Sequence, residues 1–397
     1  MRTPVDPLFG PEHAEFREQV RAFLGAELDP ARTAGHRDPR DLTGLDEQLE
    51  RQILRRAGAA GFLGISLPED LGGGGRPPSW DAVVSYESAY HDAPLIDTAA
   101  HFLGPTLVTF GTPDQLDRVM RPAIAGTINA CIAYTEADAG SDLTGIATVA
   151  EPAGDAGDGS SGFTLTGEKV LVTGAHKADW CCTVARTDAE STGRKGLSMF
   201  VFPMDTPGVT TERVRTANGW DLGTVRFEQA RVGPEALLGE RDQGWRTLTG
   251  ALIGERSGVA WLGWATRNVD ALLDACAGTR DPIVRDELAG VVAELFTAKC
   301  TAQRVLDAQD AGLAPYVEGA MSKVQATELL QRVARVGARV LGPEVLTAPG
   351  WFGRPPFGAW FAYETVERLH PALSVGANEI QRTTIGQVGL GLPLEPR

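Results

Sequence analysis

The sequence predicts an α+β chain in three parts: an N-terminal helical domain over 1–125, a middle β domain over 126–238 and a C-terminal helical bundle over 239–397. Three observations carry this. Apolar residues recur at helical spacing near the start, short β-rich runs punctuated by turn formers fill the middle, and helical spacing then returns in long segments. In the first part Phe16, Val20, Phe23 and Leu24 share a helical face, broken by Pro30 and later by the run Gly72 to Gly75. In the second, Phe163 to Thr166, Val170 to Thr173, Trp180 to Ala185 and Leu197 to Phe202 read as strands between Gly, Asp, Ser and Pro clusters. Glu151 to Gly162, rich in Gly, Asp and Ser, reads as an exposed hairpin loop. In the third, Leu288, Val291 and Leu295, then Leu330, Val333, Gly337 and Val340, recur at spacings of three and four.

Composition narrows the function classes. A chain of 397 residues buries a sizeable core, and a formal charge of -15 argues against nucleic acid or an anionic membrane as partner. The 5 cysteines form no ligand spacing, and the 6 histidines show no helical pairing for a metal. With no apolar run long enough to span a bilayer, and a polar start, a soluble cytoplasmic protein is expected. The run Gly72 to Gly75 lacks the strand before it and the helix within it that a phosphate loop needs, so it reads as a turn.

Residues 131–145, Cys-Ile-Ala-Tyr-Thr-Glu-Ala-Asp-Ala-Gly-Ser-Asp-Leu-Thr-Gly, pack amides and small hydroxyls into a tight turn after a β-like run. Such a turn suits the edge of a flat polar ring. The stretch resembles the Thr-Glu-Pro-x-Ala-Gly-Ser-Asp signature of flavin-dependent acyl-CoA dehydrogenases, with Ala137 at the family's Pro. Other anchors follow in the family's order: Leu67-Pro68-Glu69 with Gly72 to Gly75, Gly111-Thr112-Pro113-Asp114-Gln115, Gly167-Glu168-Lys169 running to Thr173-Gly174, and Gly376-Ala377-Asn378-Glu379-Ile380-Gln381-Arg382. The likeness spans nearly the whole chain. It implies a middle β-barrel and a C-terminal four-helix bundle, with FAD and an acyl thioester meeting at the domain junction.

In this family a carboxylate takes an α-proton while a β-hydride goes to flavin N5, giving a 2-enoyl thioester. Many members carry that base just before the Gly-Thr of the C-terminal loop, where this chain has Val375. Others carry it on the first long C-terminal helix before an Arg, which points to Glu255 as base and Arg256 as a substrate contact. Glu364 is a second candidate base. A carboxylate facing an apolar slot has its pKa raised by desolvation and can work near neutral pH. By resemblance the Val375 main-chain N–H polarises the thioester carbonyl, Thr135 and Thr173 contact the flavin ring, and Ser141 meets flavin or substrate. Leu171 stands where the family often has a stacking Trp.

The pyrophosphate side departs further from the family. Arg280 or Arg285, Arg339 with Gly342, and Gly376, Ala377 and Glu379 occupy the matching positions, and an arginine fork suits a pyrophosphate. Without the resemblance, Thr135 and Ser141 are turn formers, Glu255 a helix-start residue, and Arg339 half of a surface ion pair. The aromatic cluster Trp351, Phe352, Phe357, Trp360 and Phe361 reads as packing. The expected enzyme is a homodimer or homotetramer, or part of a heterotetramer, acting on a thioester of CoA or of an acyl carrier protein and passing electrons to an electron-transfer flavoprotein. The Gly-Leu-Pro-Leu-Glu-Pro-Arg end is most like actinobacterial members of lipid, sterol side-chain or secondary-metabolite pathways. Two alternatives remain open: a catalytically silent subunit of a hetero-oligomer, and a carrier-protein-specific desaturase.

Overall fold

In the computed structural model the residues described are 6–33, 46–154, 161–216, 221–254, 257–342 and 364–393. They form two compact units, one of residues 46–76 and 97–254, the other of residues 1–45, 77–96 and 255–397.

The first unit is built on one eight-stranded sheet. Its strands are β1 (Ala130–Ala133), β2 (Val149–Pro152), β3 (Phe163–Thr173), β4 (Trp180–Arg186), β5 (Leu197–Pro203), β6 (Val209–Arg215), β7 (Asp221–Val232) and β8 (Leu237–Leu238). They run in the order β6-β7-β3-β2-β4-β5-β8, with β1 parallel to β4. Buried side chains of β1 to β5 and β7, among them Cys131, Ala150, Phe163, Cys181, Phe200, Phe202 and Phe227, meet in one cluster, and Val209 of β6 and Leu237 of β8 pack on it. Strands at both ends of the path therefore share one core, which requires the sheet to curl on itself.

The two runs expected as separate strands join into β3, which stays paired with β7 across register shifts at Leu165/Gly167 and Lys169/Val172. Bulges of this kind absorb an extra residue without ending the ladder. The β2–β3 hairpin is present, Pro152 opposite Phe163, although residues 155–160 of its loop lie outside the described residues.

Helices α2 (Glu47–Ala59), α4 (Gly104–Phe110), α5 (Pro113–Gln115), α6 (Arg121–Ile124) and α7 (Gly244–Gly254) belong to the same unit. The Gly111 to Gln115 motif proves to be a fastener. Thr112 and Gln115 form a reciprocal capping box, and Gln115 Nε2 donates to the carbonyls of Glu235 at 2.8 Å and Leu237 at 3.0 Å. The run Gly72 to Gly75 is a turn. Its amides at Gly73, Gly74 and Gly75 donate to Pro68, Gly64 and Leu67, leaving none of these three for a phosphate.

The second unit holds α1 (Ala14–Thr33), α3 (Pro78–His91), α8 (Val259–Ala275), α9 (Pro282–Asp310), α10 (Tyr316–Leu341) and α11 (Asn378–Thr384). The expected apolar positions are its core, with Leu288, Val291, Leu295, Leu330 and Val333 all buried. Helix α1 runs past Pro30, where the sequence suggested a break. A proline so near a helix end removes one hydrogen bond, and the helix carries on for less than a turn. Helix α3 approaches α8 closely at Gly263, where a Cβ would stand 2.4 Å from the Tyr86 carbonyl. No helix among the described residues is long and apolar enough to cross a membrane.

Glu87 of α3 anchors a buried charge network. It pairs with Arg17, with Arg21 Nε at 2.9 Å and with His91 at 3.6 Å, and Arg17 reaches Asp6 at 2.8 Å. Burial pushes the Glu87 carboxyl up, but the bonds from His91, Arg21 and Arg17 outweigh it and hold the group at about 2, against an ordinary 4.5. Because the folded pKa is depressed, the stability is fully present above pH 4.5 and is lost as pH falls toward 2. The contribution at neutral pH is about 3 kcal/mol. Urea unfolding should show the wild type losing more stability than Glu87→Gln across that window.

Candidate functional site

The signature turn follows β1 directly. The Thr183 hydroxyl donates to the Ala133 carbonyl at 2.6 Å, and Glu136 and Ala139 exchange backbone hydrogen bonds of 3.0 and 3.2 Å that close the turn. Beneath it the Glu136 carboxylate accepts from the Ala147 amide at 2.7 Å, the Thr148 amide at 3.0 Å and Lys169 Nζ at 2.7 Å. Lys169 also donates to the Tyr134 carbonyl at 3.3 Å, and the Val170 amide donates to the Thr135 carbonyl at 2.9 Å. Lys169 is fully buried and Glu136 nearly so. Burial drives the Lys169 ammonium below the ordinary lysine range. Burial would raise the Glu136 carboxyl, but Lys169 and the bonded amides hold it lower than usual.

The Val170–Thr135 bond ties one expected ring contact, Thr135, to the strand that ends at the other, Thr173. Thr135 is half-buried and Thr173 exposed; Ser141 is exposed beside Asp142, which accepts from Thr144 N at 3.0 Å and Oγ1 at 2.6 Å. The sequence reading gave Glu136 and Lys169 no role. The available signal is an acid in one family-like motif and a base in another.

Leu171 lies at the β3 bulge with φ +57° and is 60% exposed. A branched apolar side chain in the left-handed region is strained and turned toward solvent. The donor set suits a flat ring: hydroxyls of Thr135 and Thr173 for its polar edge, and the Leu171 side chain for an apolar face.

In the second unit the loop before α11 holds Val375 at φ +53° and Gly376 at φ +80°. A β-branched residue in this conformation is an outlier that its surroundings must impose. They do so through buried Lys323, which donates to the Ala372 carbonyl at 3.2 Å and to Asn378 Oδ1 at 2.7 Å, and through Gln381, which donates to the Gly376 carbonyl at 3.1 Å. Ala377 is buried as the α11 N-cap, and Glu379 is exposed in its first turn.

Arg280 and Arg285 are exposed around the α9 N-terminus. Arg339, in the last turn of α10, is ion-paired with Glu287 of α9, and Gly342 ends α10 at φ +60°. The arginine fork is thus held at the α9–α10 end, already engaged by a carboxylate. Glu255 and Arg256 lie outside the described residues, as does the aromatic cluster from Trp351 to Phe361.

Glu364 is the second candidate base. It is fully buried and accepts from Asn268 Nδ2 at 2.5 Å and from Arg368 at 2.6 and 2.8 Å. Both oxygens of this carboxylate are thus engaged by the guanidinium of Arg368.

Three family models match the chain: the acyl-CoA dehydrogenase N-terminal domain over residues 10–127, its middle domain over 131–230 and its C-terminal domain over 242–390. Acyl-CoA dehydrogenase IpdE1 of Mycolicibacterium smegmatis is 31% identical over 97% of this chain and 99% of its own length. Among solved structures, the Tcur3481-Tcur3483 steroid ACAD superposes with a TM-score of 0.87 at 25% identity, covering 98% of this chain and all of that one. The ChsE4-ChsE5 complex of Mycobacterium tuberculosis has the same fold, with a TM-score of 0.84 at 24% identity over the full length of both chains.

Removing one partner of a buried ion pair strands the other charge, at about 3–5 kcal/mol. Lys169→Met should lose that much and speed amide exchange at Ala147 and Thr148. Glu364→Ala should lose a similar amount through Arg368, both read from denaturant midpoints.

Proposed function

The chain belongs to the acyl-CoA dehydrogenase family, and from that premise we propose that it oxidises an acyl thioester to its 2-enoyl thioester. The observation that carries this is the turn from Thr135 to Ser141, fixed to the strand bearing Leu171 and Thr173 by the Glu136–Lys169 pair. Thr135, Thr173 and Leu171 would hold the isoalloxazine ring of FAD and Ser141 would meet the substrate beside it, with Arg280, Arg339, Gly342, Gly376, Ala377 and Glu379 as the proposed pyrophosphate contacts. FAD, when bound, supplies the acceptor for the β-hydride.

The chain's own residues handle the proton and the developing charge. Glu255 takes the α-proton, the role supported by its place before Arg256 and by Val375 at the alternative position. The Val375 amide donates to the thioester carbonyl, where enolate charge grows. A donor fixed there before the reaction stabilises the transition state without reorganisation. The left-handed strain at Val375 supports that role, because strained backbone persists where surrounding structure enforces a particular presentation.

Oligomerisation belongs to the same reading. Ile380, Val388, Leu390 and Leu392 are large apolar side chains left exposed at 43%, 61%, 71% and 56%, which supports an apolar contact surface on this segment. A silent role in a hetero-oligomer is the second reading, favoured by the Arg339–Glu287 ion pair, which occupies the fork. An electron-transfer flavoprotein is the proposed electron acceptor. The acyl carrier is CoA or a carrier protein, and the steroid ACAD likeness puts sterol-derived acyl groups on the test panel.

Anaerobic titration with acyl-CoA and acyl-carrier thioesters should bleach the bound flavin. Purification without flavin, and no uptake of added FAD, would favour the silent subunit. Glu255→Gln should retain flavin and a thioester-induced spectral change while reduction slows on the order of 10²- to 10⁴-fold. Near wild-type reduction would remove Glu255 from the mechanism.

A further inference from the structure

Arg186, the last residue of β4, makes an unusual set of bonds. Its Nη1 donates to the carbonyls of Ser191 at 3.1 Å and Lys195 at 3.0 Å, and its Nη2 to those of Thr144 at 3.2 Å and Gly193 at 3.3 Å. Among the described residues this guanidinium pairs with no carboxylate. Three of the carbonyls lie on the loop after β4, which is closed at its base by Thr187 and Gly196, the Thr187 amide donating to the Gly196 carbonyl at 2.8 Å. The fourth belongs to the turn that Asp142 rigidifies directly after Ser141. Main chain fixes the fork's origin, since the Arg186 amide donates to the Thr148 carbonyl at 2.8 Å, next to the amide that Glu136 holds.

We propose that Arg186 is a positioning residue that locks the 187–196 loop onto the Ser141 turn, so that the two form one preorganised wall for the thioester substrate. The proposal rests on the reading of Ser141 as a substrate contact. A planar fork of five donors can bridge several carbonyls at once, and an ammonium on a flexible stem cannot hold the same spread. Breaking the fork frees the wall without touching the ring contacts at Thr135 and Thr173. The cost therefore falls on substrate binding rather than on the chemical step.

The test compares Arg186→Gln and Arg186→Lys in the full-length flavin-loaded protein. For Arg186→Gln the KM for an acyl-CoA thioester should rise roughly tenfold while kcat and flavin absorbance stay within about twofold of wild type, with partial recovery in Arg186→Lys. Amide exchange should accelerate together over 142–145 and 190–196. Loss of flavin, a kcat loss matching the KM change, or faster exchange on one side alone would overturn the clamp. If no thioester bleaches the wild-type flavin, the catalytic reading fails, and the paired exchange still decides whether Arg186 couples the two segments.

Discussion

The buried Glu136–Lys169 ion pair is the constraint on which the candidate site depends. Two charges out of water are costly unless they meet with good geometry and satisfy their remaining donors and acceptors. Here the carboxylate also takes two amides and the ammonium takes a carbonyl, so the low-cost arrangement of these groups is a single one. That arrangement fixes the turn after β1 against β3. The bond from the Val170 amide to the Thr135 carbonyl joins the pair in tying Thr135 to the strand that carries Leu171 and Thr173.

Several motifs that look like chemistry are joints. The Thr112–Gln115 box ties a helix end to the carbonyls of Glu235 and Leu237, the run Gly72 to Gly75 spends its amides on neighbouring carbonyls, and Gln381 holds the Gly376 carbonyl. Each uses a polar group to replace the water that a backbone atom loses on folding, which leaves that backbone atom no stake in a ligand. Other residues carry imposed backbone strain instead. Leu171 and Val375 meet that description, one turned out at a bulge and the other held left-handed by Lys323 and Gln381 on either side.

The charge networks differ in what they do. Around Glu87 three basic groups bind the first and third helices, a means of packing with an acid-sensitive contribution. Around Glu364 the same chemistry gathers Asn268 and Arg368 on one buried carboxylate. What distinguishes an available carboxylate from a structural one is the number of donors already aimed at it.

The sequence by itself determined the fold class, the bundle core and the family, because helical periodicity, turn punctuation and ordered motifs are local properties that burial then enforces. Leu288, Val291 and Leu295 had to face inward wherever α9 settled. The Thr135 to Ser141 turn was legible for the same reason. Tertiary structure alone decided what depended on distant partners. β6 carries almost no buried side chain and exists through its ladder with β7. Glu364 met Asn268 from 96 residues away. Lys169 found Glu136 33 residues away, and Arg186 reached Thr144 across 42. A hydrogen bond is satisfied by whichever group the fold brings within about 3 Å, and spacing along a chain does not encode that distance.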